Sequence, residues 1–157
     1  MRFIFDLDHT VIDSRHRQLT MVDGSLNLDH WRENCTREKI LADKLLPLAN
    51  HWKNAKAKGA EIVICTARVM GTADYEYLFL NGLRYDAILS RNEGDDTPDH
   101  LLKYAMLHDY AEHCGISWRR FKMFSVMFDD NKNVINHLTA NGFKVYNAIE
   151  INERLSA

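Results

Sequence analysis

The stretch Arg2-Phe3-Ile4-Phe5-Asp6-Leu7-Asp8-His9-Thr10 decides how this chain reads. Its first part, Arg2 to Leu7, is a nearly unbroken run of β-branched and aromatic residues, the pattern of a strand covered on both faces. The run closes on Asp6 and Asp8, which point to the same side of an extended chain. Further segments share the apolar character: Glu61 to Thr66 (EIVICT), Asp86 to Ser90 (DAILS), Lys122 to Phe128 (KMFSVMF) and, after the turn Asn141-Gly142, Lys144 to Tyr146.

Helical patterns separate these strands. Ile40 to Lys58 carries Leu41, Leu45, Leu48, Ala49 and Trp52 on one stripe; Pro47 starts or kinks it, and Gly59 is positioned to end it. Thr72 to Leu80 is a shorter candidate. Asp99 to Cys114 repeats Leu102, Ala105, Met106 and Tyr110 at helical spacing, and Asn131 to Asn141 turns Val134, Ile135 and Leu138 inward. Strands alternating with helices predict a three-layer α/β sandwich with a central parallel sheet. The polar stretch 13–39, anchored by Trp31, reads as a small helical lid inserted over the sheet edge of one domain spanning 1–157.

Composition narrows the functional classes. The chain has 157 residues, 46% hydrophobic and 27% charged, with a net charge of −2, which gives no global basic surface for nucleic acid. It contains no apolar run long enough for a membrane span, and acids break the first apolar run too early for a secretory signal. Cys35, Cys65 and Cys114 have no CxxC spacing, a usage that fits reduced thiols and a cytoplasmic location.

In an open α/β sheet, ligands bind outside the carboxyl ends of the strands. Those ends carry Asp6 and Asp8, Thr66, and Asp129-Asp130, while Lys103 lies early in the helix after the third strand. Carboxylates converging at one sheet edge call for a cation, and an all-oxygen set suits Mg²⁺, with Asp6, Asp8, Asp129 and Asp130 as the expected ligands. Asp6 then attacks phosphorus, Asp8 protonates the leaving oxygen and later deprotonates water, Thr66 donates to a phosphoryl oxygen, and Lys103 neutralises charge. Two bland readings stand beside this one. Acids after a strand also cap turns, and Asp129-Asp130-Asn131 is a good start for the following helix. His9 reads as a loop or lid contact, since Asp8 already fills the acid–base role.

Asp6-Leu7-Asp8-His9-Thr10 resembles the DxDxT signature of haloacid dehalogenase-type phosphatases, and Thr66, Lys103 and Asp129-Asp130 match that family's later motifs in order. The resemblance covers about Phe3 to Tyr146. It implies a haloacid dehalogenase-like Rossmannoid fold, Mg²⁺ as cofactor and phosphomonoester hydrolysis through an aspartyl-phosphate. Thr10, which closes the signature, is expected near the substrate.

Three stretches resemble, more narrowly, the 3′-phosphatase domain of phage polynucleotide kinase–phosphatase. They are Arg15-His16-Arg17, Thr66-Ala67-Arg68 with Gly71-Thr72, and Arg91 to Asp95 with Asp99 and Lys103. The resemblance implies that Arg17, Arg68 and Arg91 hold a terminal phosphate, for which a guanidinium fork is well shaped. The competing reading pairs these arginines with nearby acids. Asn131 stands where the phage domain has arginine, and no GxxxxGK[ST] motif occurs, so dephosphorylation without rephosphorylation is expected. The leading expectation is removal of 3′-phosphate from polynucleotide ends. A 5′-nucleotidase for free (deoxy)nucleoside monophosphates is the enzymatic alternative, and an inactive phosphate-binding module the non-enzymatic one.

Overall fold

Ile4 and Phe5 are both fully buried, one on each face of strand β1 (Arg2–Phe5), because successive side chains of a strand point opposite ways. The computed structural model describes residues 1–157. After β1 come β2 (Ile12–Asp13), a 3-10 turn at Arg15–Arg17, α1 (Leu28–Glu33), α2 (Arg37–Leu41), β3 (Lys44–Leu45), α3 (Leu48–Ala57) and β4 (Glu61–Thr66). The chain continues through α4 (Thr72–Leu80), β5 (Ala87–Ser90), α5 (Asp99–His113), α6 (Trp118–Met123), β6 (Ser125–Asp129), α7 (Lys132–Ala140), β7 (Val145–Asn147) and α8 (Ala148–Ser156).

The main sheet has five strands in the order β5-β4-β1-β6-β7, all parallel, and β2 pairs with β3 in a separate antiparallel ribbon. On one face Phe5, Ile62, Ile64 and Phe128 pack with Trp52 of α3, Tyr77 and Leu78 of α4 and Ala148 of α8. On the other, Ile4, Val63, Cys65 and Met127 meet Leu107 of α5, Phe121 of α6 and Val134 and Leu138 of α7. This is the three-layer sandwich expected from the sequence. Phe5 stacks between Trp52 and Phe128, both with ring centroids 5.0 Å away. Removing the fully buried Trp52 side chain would cost about 3–5 kcal/mol.

Three boundaries differ from the sequence reading. The helix expected over Ile40 to Lys58 is divided: Lys44–Leu45 leave it to pair with Ile12–Asp13, and Pro47 caps a new helix, α3. Ser117 accepts from the Arg120 amide and starts α6, so Lys122 and Met123 are helical and the strand begins at Ser125. The third difference is an unexpected helix, α8, whose Asn152 accepts from Leu48 N and donates to the Thr10 carbonyl. It ties the chain's end to α3 and to the loop after β1.

Stretch 13–39 carries the 3-10 turn, α1 and the start of α2. Helix α2 packs along α4, Ile40 enters the core, and Arg37 pairs with Glu76 at 2.6 Å. No helix is long and apolar enough to cross a membrane.

Candidate active site

The strand order reverses across β1, with β4 on one side and β6 on the other, so the crevice at their carboxyl ends is where such a sheet binds ligands. Register aligns Phe5 with Ile64 and with Phe128, which brings Asp6, Thr66 and Asp129 to one edge. Asp6, Thr66 and Asp129 are all buried. From α5, the buried ammonium of Lys103 reaches between two carboxylates, 3.0 Å from Asp6 Oδ1 and 2.7 Å from Asp129 Oδ2.

Carboxylate oxygens of Asp6, Asp129 and Asp130 lie within 4.8 Å of one another. One lysine faces these three acids, so two negative charges are left over, and an oxygen-donor set of this kind fits a hard divalent cation. The imbalance shows in proton affinity. Burial pushes the Asp6 carboxyl well above the ordinary carboxylate range; Lys103 opposes the rise, and Asp129, Asp130 and Asp8 add to it. Asp130 is raised by burial and by the Asp129 charge. Burial works against the charged Lys103, but Asp6 and Asp129 outweigh it and hold its ammonium above its usual range.

The Asp8 carboxylate, also expected among the metal ligands, lies outside this cluster of three. Arg68 donates to both of its oxygens, Nε to Oδ2 at 3.1 Å and Nη2 to Oδ1 at 2.5 Å, and Ser14 Oγ donates to Oδ1 at 2.6 Å. Burial alone would raise this carboxyl; the charge and hydrogen bonds of Arg68, with Ser14, bring it down to about 2. Thr66 Oγ1 accepts from the Arg68 amide at 3.0 Å, leaving the hydroxyl proton free for an incoming oxygen.

The arginines expected to hold phosphate are engaged elsewhere. Arg17 is fully buried: Nε and Nη2 grip Asp43 at 2.9 and 2.8 Å, Nη1 donates to Cys35 Sγ, and the guanidinium lies 4.3 Å from the Trp31 ring centre. Arg91 donates to the carbonyls of Ala67, Asp95 and Thr97 and to Asp99 Oδ1, stapling the loop between β5 and α5. Beyond Asp8, Arg68 also holds Asp74 at 2.7 Å, while Asp74 caps α4 through the Gly71 amide. Thr10 has no exposed surface, and its carbonyl is taken by Asn152. Arg17 and Arg91 are thus engaged within the scaffold, Thr10 Oγ1 is buried without a partner, and Arg68 is the arginine that pairs directly with Asp8. The reason is physical: a buried guanidinium must have acceptors, and Asp43 and Asp99 supply them. Asn131 caps α7, accepting from the amides of Asn133 and Val134.

Ser14, Asp43 and Asp74 had no role in the sequence reading. Asp74 carried a usable signal, an acid three residues after Gly71 at a helix start. Asp43 and Ser14 carry none, because their partners are set by tertiary contact. A cavity of about 590 Å³ lies elsewhere, between α3, α8 and the sheet, lined by Phe3, His51, Phe128 and Tyr146; Asp6, Asp8, Asp129 and Asp130 are not part of it.

An α/β fold with a buried aspartate after its central strand, and a lysine bridging it to a second acid, is the arrangement of a haloacid dehalogenase-type hydrolase. A haloacid dehalogenase-like family hydrolase from Streptococcus pneumoniae shares the fold, with a TM-score of 0.65 at 11% identity over 96% of this chain and 90% of that one. A chain of the Pnkp1/Rnl/Hen1 RNA repair complex gives 0.58 at 20% identity over 93% of this chain, which spans 41% of that one. The bacteriophage T5 5′-deoxynucleotidase family model matches residues 1–157, and the chain belongs to that family. The 5′-deoxynucleotidase of Escherichia phage T5 is 31% identical over 176 aligned residues, 98% of this chain and 69% of the relative.

Proposed function

We propose that the protein is a Mg²⁺-dependent 5′-deoxynucleotidase that hydrolyses deoxynucleoside 5′-monophosphates through an aspartyl-phosphate on Asp6. The observation that carries this reading is the family match along the whole chain. The Asp6, Asp8, Thr66, Lys103 and Asp129 arrangement supports the chemistry.

In this mechanism Asp6 Oδ attacks phosphorus and the bond to the 5′ oxygen breaks, with Asp8 giving that oxygen its proton. Water then attacks the aspartyl-phosphate, and Asp8 takes the proton back. Thr66 donates its free hydroxyl proton to a phosphoryl oxygen, and Lys103 offsets the charge of Asp6 and Asp129. Mg²⁺ held by Asp6, Asp129 and Asp130 would supply charge neutralisation of the phosphate. Asp8 is ionised in the free enzyme. A phosphate dianion arriving beside it competes for Arg68 and raises its proton affinity, so Asp8 takes up a proton from solvent as substrate binds and enters the step as the acid. The three unpaired cysteines suit a cytoplasmic setting for nucleotide turnover.

The polynucleotide 3′-end reading rested on the resemblance of three stretches to a 3′-phosphatase domain, and its physical support was a phosphate held by Arg17, Arg68 and Arg91. With Arg17 on Asp43 and Arg91 on Asp99, that support is withdrawn. The test is a phosphate-release panel with Mg²⁺, covering deoxynucleoside and ribonucleoside 5′-monophosphates, 3′-phosphorylated oligonucleotides and 5′-phosphorylated oligonucleotides. Release from the free 5′-deoxynucleotides is expected to dominate. Release confined to 3′-phosphorylated ends would return the polynucleotide reading to first place.

A further inference from the structure

A continuous hydrogen-bond chain runs from His9 to the acid–base residue. His9 Nε2 meets Gln18 Oε1 at 2.8 Å, Gln18 Nε2 donates to Ser14 Oγ at 3.1 Å, and Ser14 Oγ donates to Asp8 Oδ1 at 2.6 Å. Donor chemistry fixes its direction. Asp8 Oδ1 accepts from Arg68 as well, so it is an acceptor, and the single Ser14 proton must point to it. Ser14 can then receive only a donor from Gln18, which is the amide nitrogen. The Gln18 carbonyl therefore faces His9, whose Nε2 must carry a hydrogen.

His9 adds a second, backbone observation. It is the single non-glycine residue with positive φ, at 60°, a conformation that costs an ordinary side chain about 1–2 kcal/mol. Its backbone is held there by His9 N donating to the Ile12 carbonyl at 2.8 Å. A glycine would take this turn without strain but could not reach Gln18. Ser14 is fully buried, so its proton has no solvent to turn to.

We propose that Ser14, Gln18 and His9 are positioning residues that hold the Asp8 carboxylate, opposite Arg68, in the orientation from which it delivers its proton to the leaving oxygen. Gln18 and Ser14 lie at the start of the 13–39 segment, so the same chain couples the seating of that segment to the orientation of the acid. The proposal rests on Asp8 being the acid–base residue, and its test separates the two.

The measurement is the first-turnover rate of leaving-group release with Mg²⁺ present, on dTMP and on p-nitrophenyl phosphate, whose phenolate departs without a proton. Asp8→Asn should slow the nucleotide step by about 10²–10⁴-fold and spare the aryl step. Ser14→Ala should show the same selectivity at about tenfold, with KM within about threefold of wild type. Gln18→Glu presents a carboxylate to Ser14 and draws its proton away from Asp8, so it should be slower on dTMP than Gln18→Ala, which leaves Ser14 free to donate. If Asp8→Asn slows both substrates alike, the acid reading fails. If Asp8→Asn is selective but Ser14→Ala slows both substrates equally or neither, or if Gln18→Ala is as slow as Gln18→Glu, the positioning role is overturned.

Discussion

Arg68 holds both oxygens of Asp8 while its remaining terminal nitrogen holds Asp74 at 2.7 Å, so one guanidinium links Asp8, the proposed acid–base residue, to the N-terminus of α4. The lid joins the same system. Arg68 Nη2 lies 3.9 Å from Asp43, Asp43 binds Arg17, and Trp31 of α1 lies over Arg17. A planar fork can serve two carboxylates at once in a way that a lysine point charge cannot. Replacing Arg68 by Lys is therefore expected to disturb Asp8 although charge is conserved.

The ion pair has a defined pH window. The Asp8 carboxyl lies at about 2 in the fold against an ordinary 3.8. A depressed carboxyl adds stability that is complete above its unfolded value and vanishes as pH falls through its folded value. Urea unfolding between pH 5 and pH 2 should thus show Asp8→Asn losing roughly 2 kcal/mol less stability than wild type. Parallel curves for the two proteins would contradict the pairing. Asp6 and Asp130, whose proton affinities are raised, act with the opposite sign in both proteins; Asp8 is the smallest contributor to the Asp6 rise, so removing its charge trims the difference without reversing it.

Arg17 should behave as a buried staple and not as a substrate contact. Arg17→Ala leaves Asp43 charged and enclosed, with an expected loss of about 3–5 kcal/mol. Asp43→Ala should cost a similar amount, and the double variant less than the sum, in a thermal or urea double-mutant cycle. In the folded fraction, KM for dTMP should stay within about threefold of wild type; a rise of tenfold or more with unchanged stability would restore Arg17 to the binding site.

How much of this could be read from the residues follows from where each group sits. Asp6, Thr66 and Asp129 were legible because each closes an apolar strand, and the topology then brings strand ends together. Lys103 was legible by its place early in the helix after β5. The partners of Arg17 and Arg91 were not legible, because an arginine that staples a loop and one that grips phosphate share the same local sequence signal. The difference lies in Asp43 and Asp99, which reach them only through tertiary contact. The α6–β6 boundary was hidden for a related reason: Lys122 to Phe128 is apolar enough for a strand, and the Ser117 cap decides that its first residues finish a helix.

Asp6→Asn tests the nucleophile. The substitution keeps shape and removes the attacking oxygen's charge, so phosphate release from dTMP should fall below detection. Burial and neighbouring carboxylates disfavour the ionised Asp6, so the neutral amide relieves repulsion. The melting temperature in EDTA should equal or exceed that of wild type. Retained turnover in this variant would sink the assignment of Asp6 as the covalent nucleophile.

Lys103→Met separates charge balance from packing. The methionine fills much of the same buried space beside Asp6 and Asp129 but leaves the acidic cluster without its internal cation. Stripped of divalent ions, the variant should be about 3–5 kcal/mol less stable than wild type at neutral pH. Added Mg²⁺ should raise its melting temperature by more than it raises that of wild type, because the cation then supplies the only counter-charge to three carboxylates. Turnover should stay lost even in saturating Mg²⁺, since the position beside Asp6 and Asp129 is no longer cationic. An equal Mg²⁺ response in the two proteins would mean that the ion does not bind at Asp6, Asp129 and Asp130.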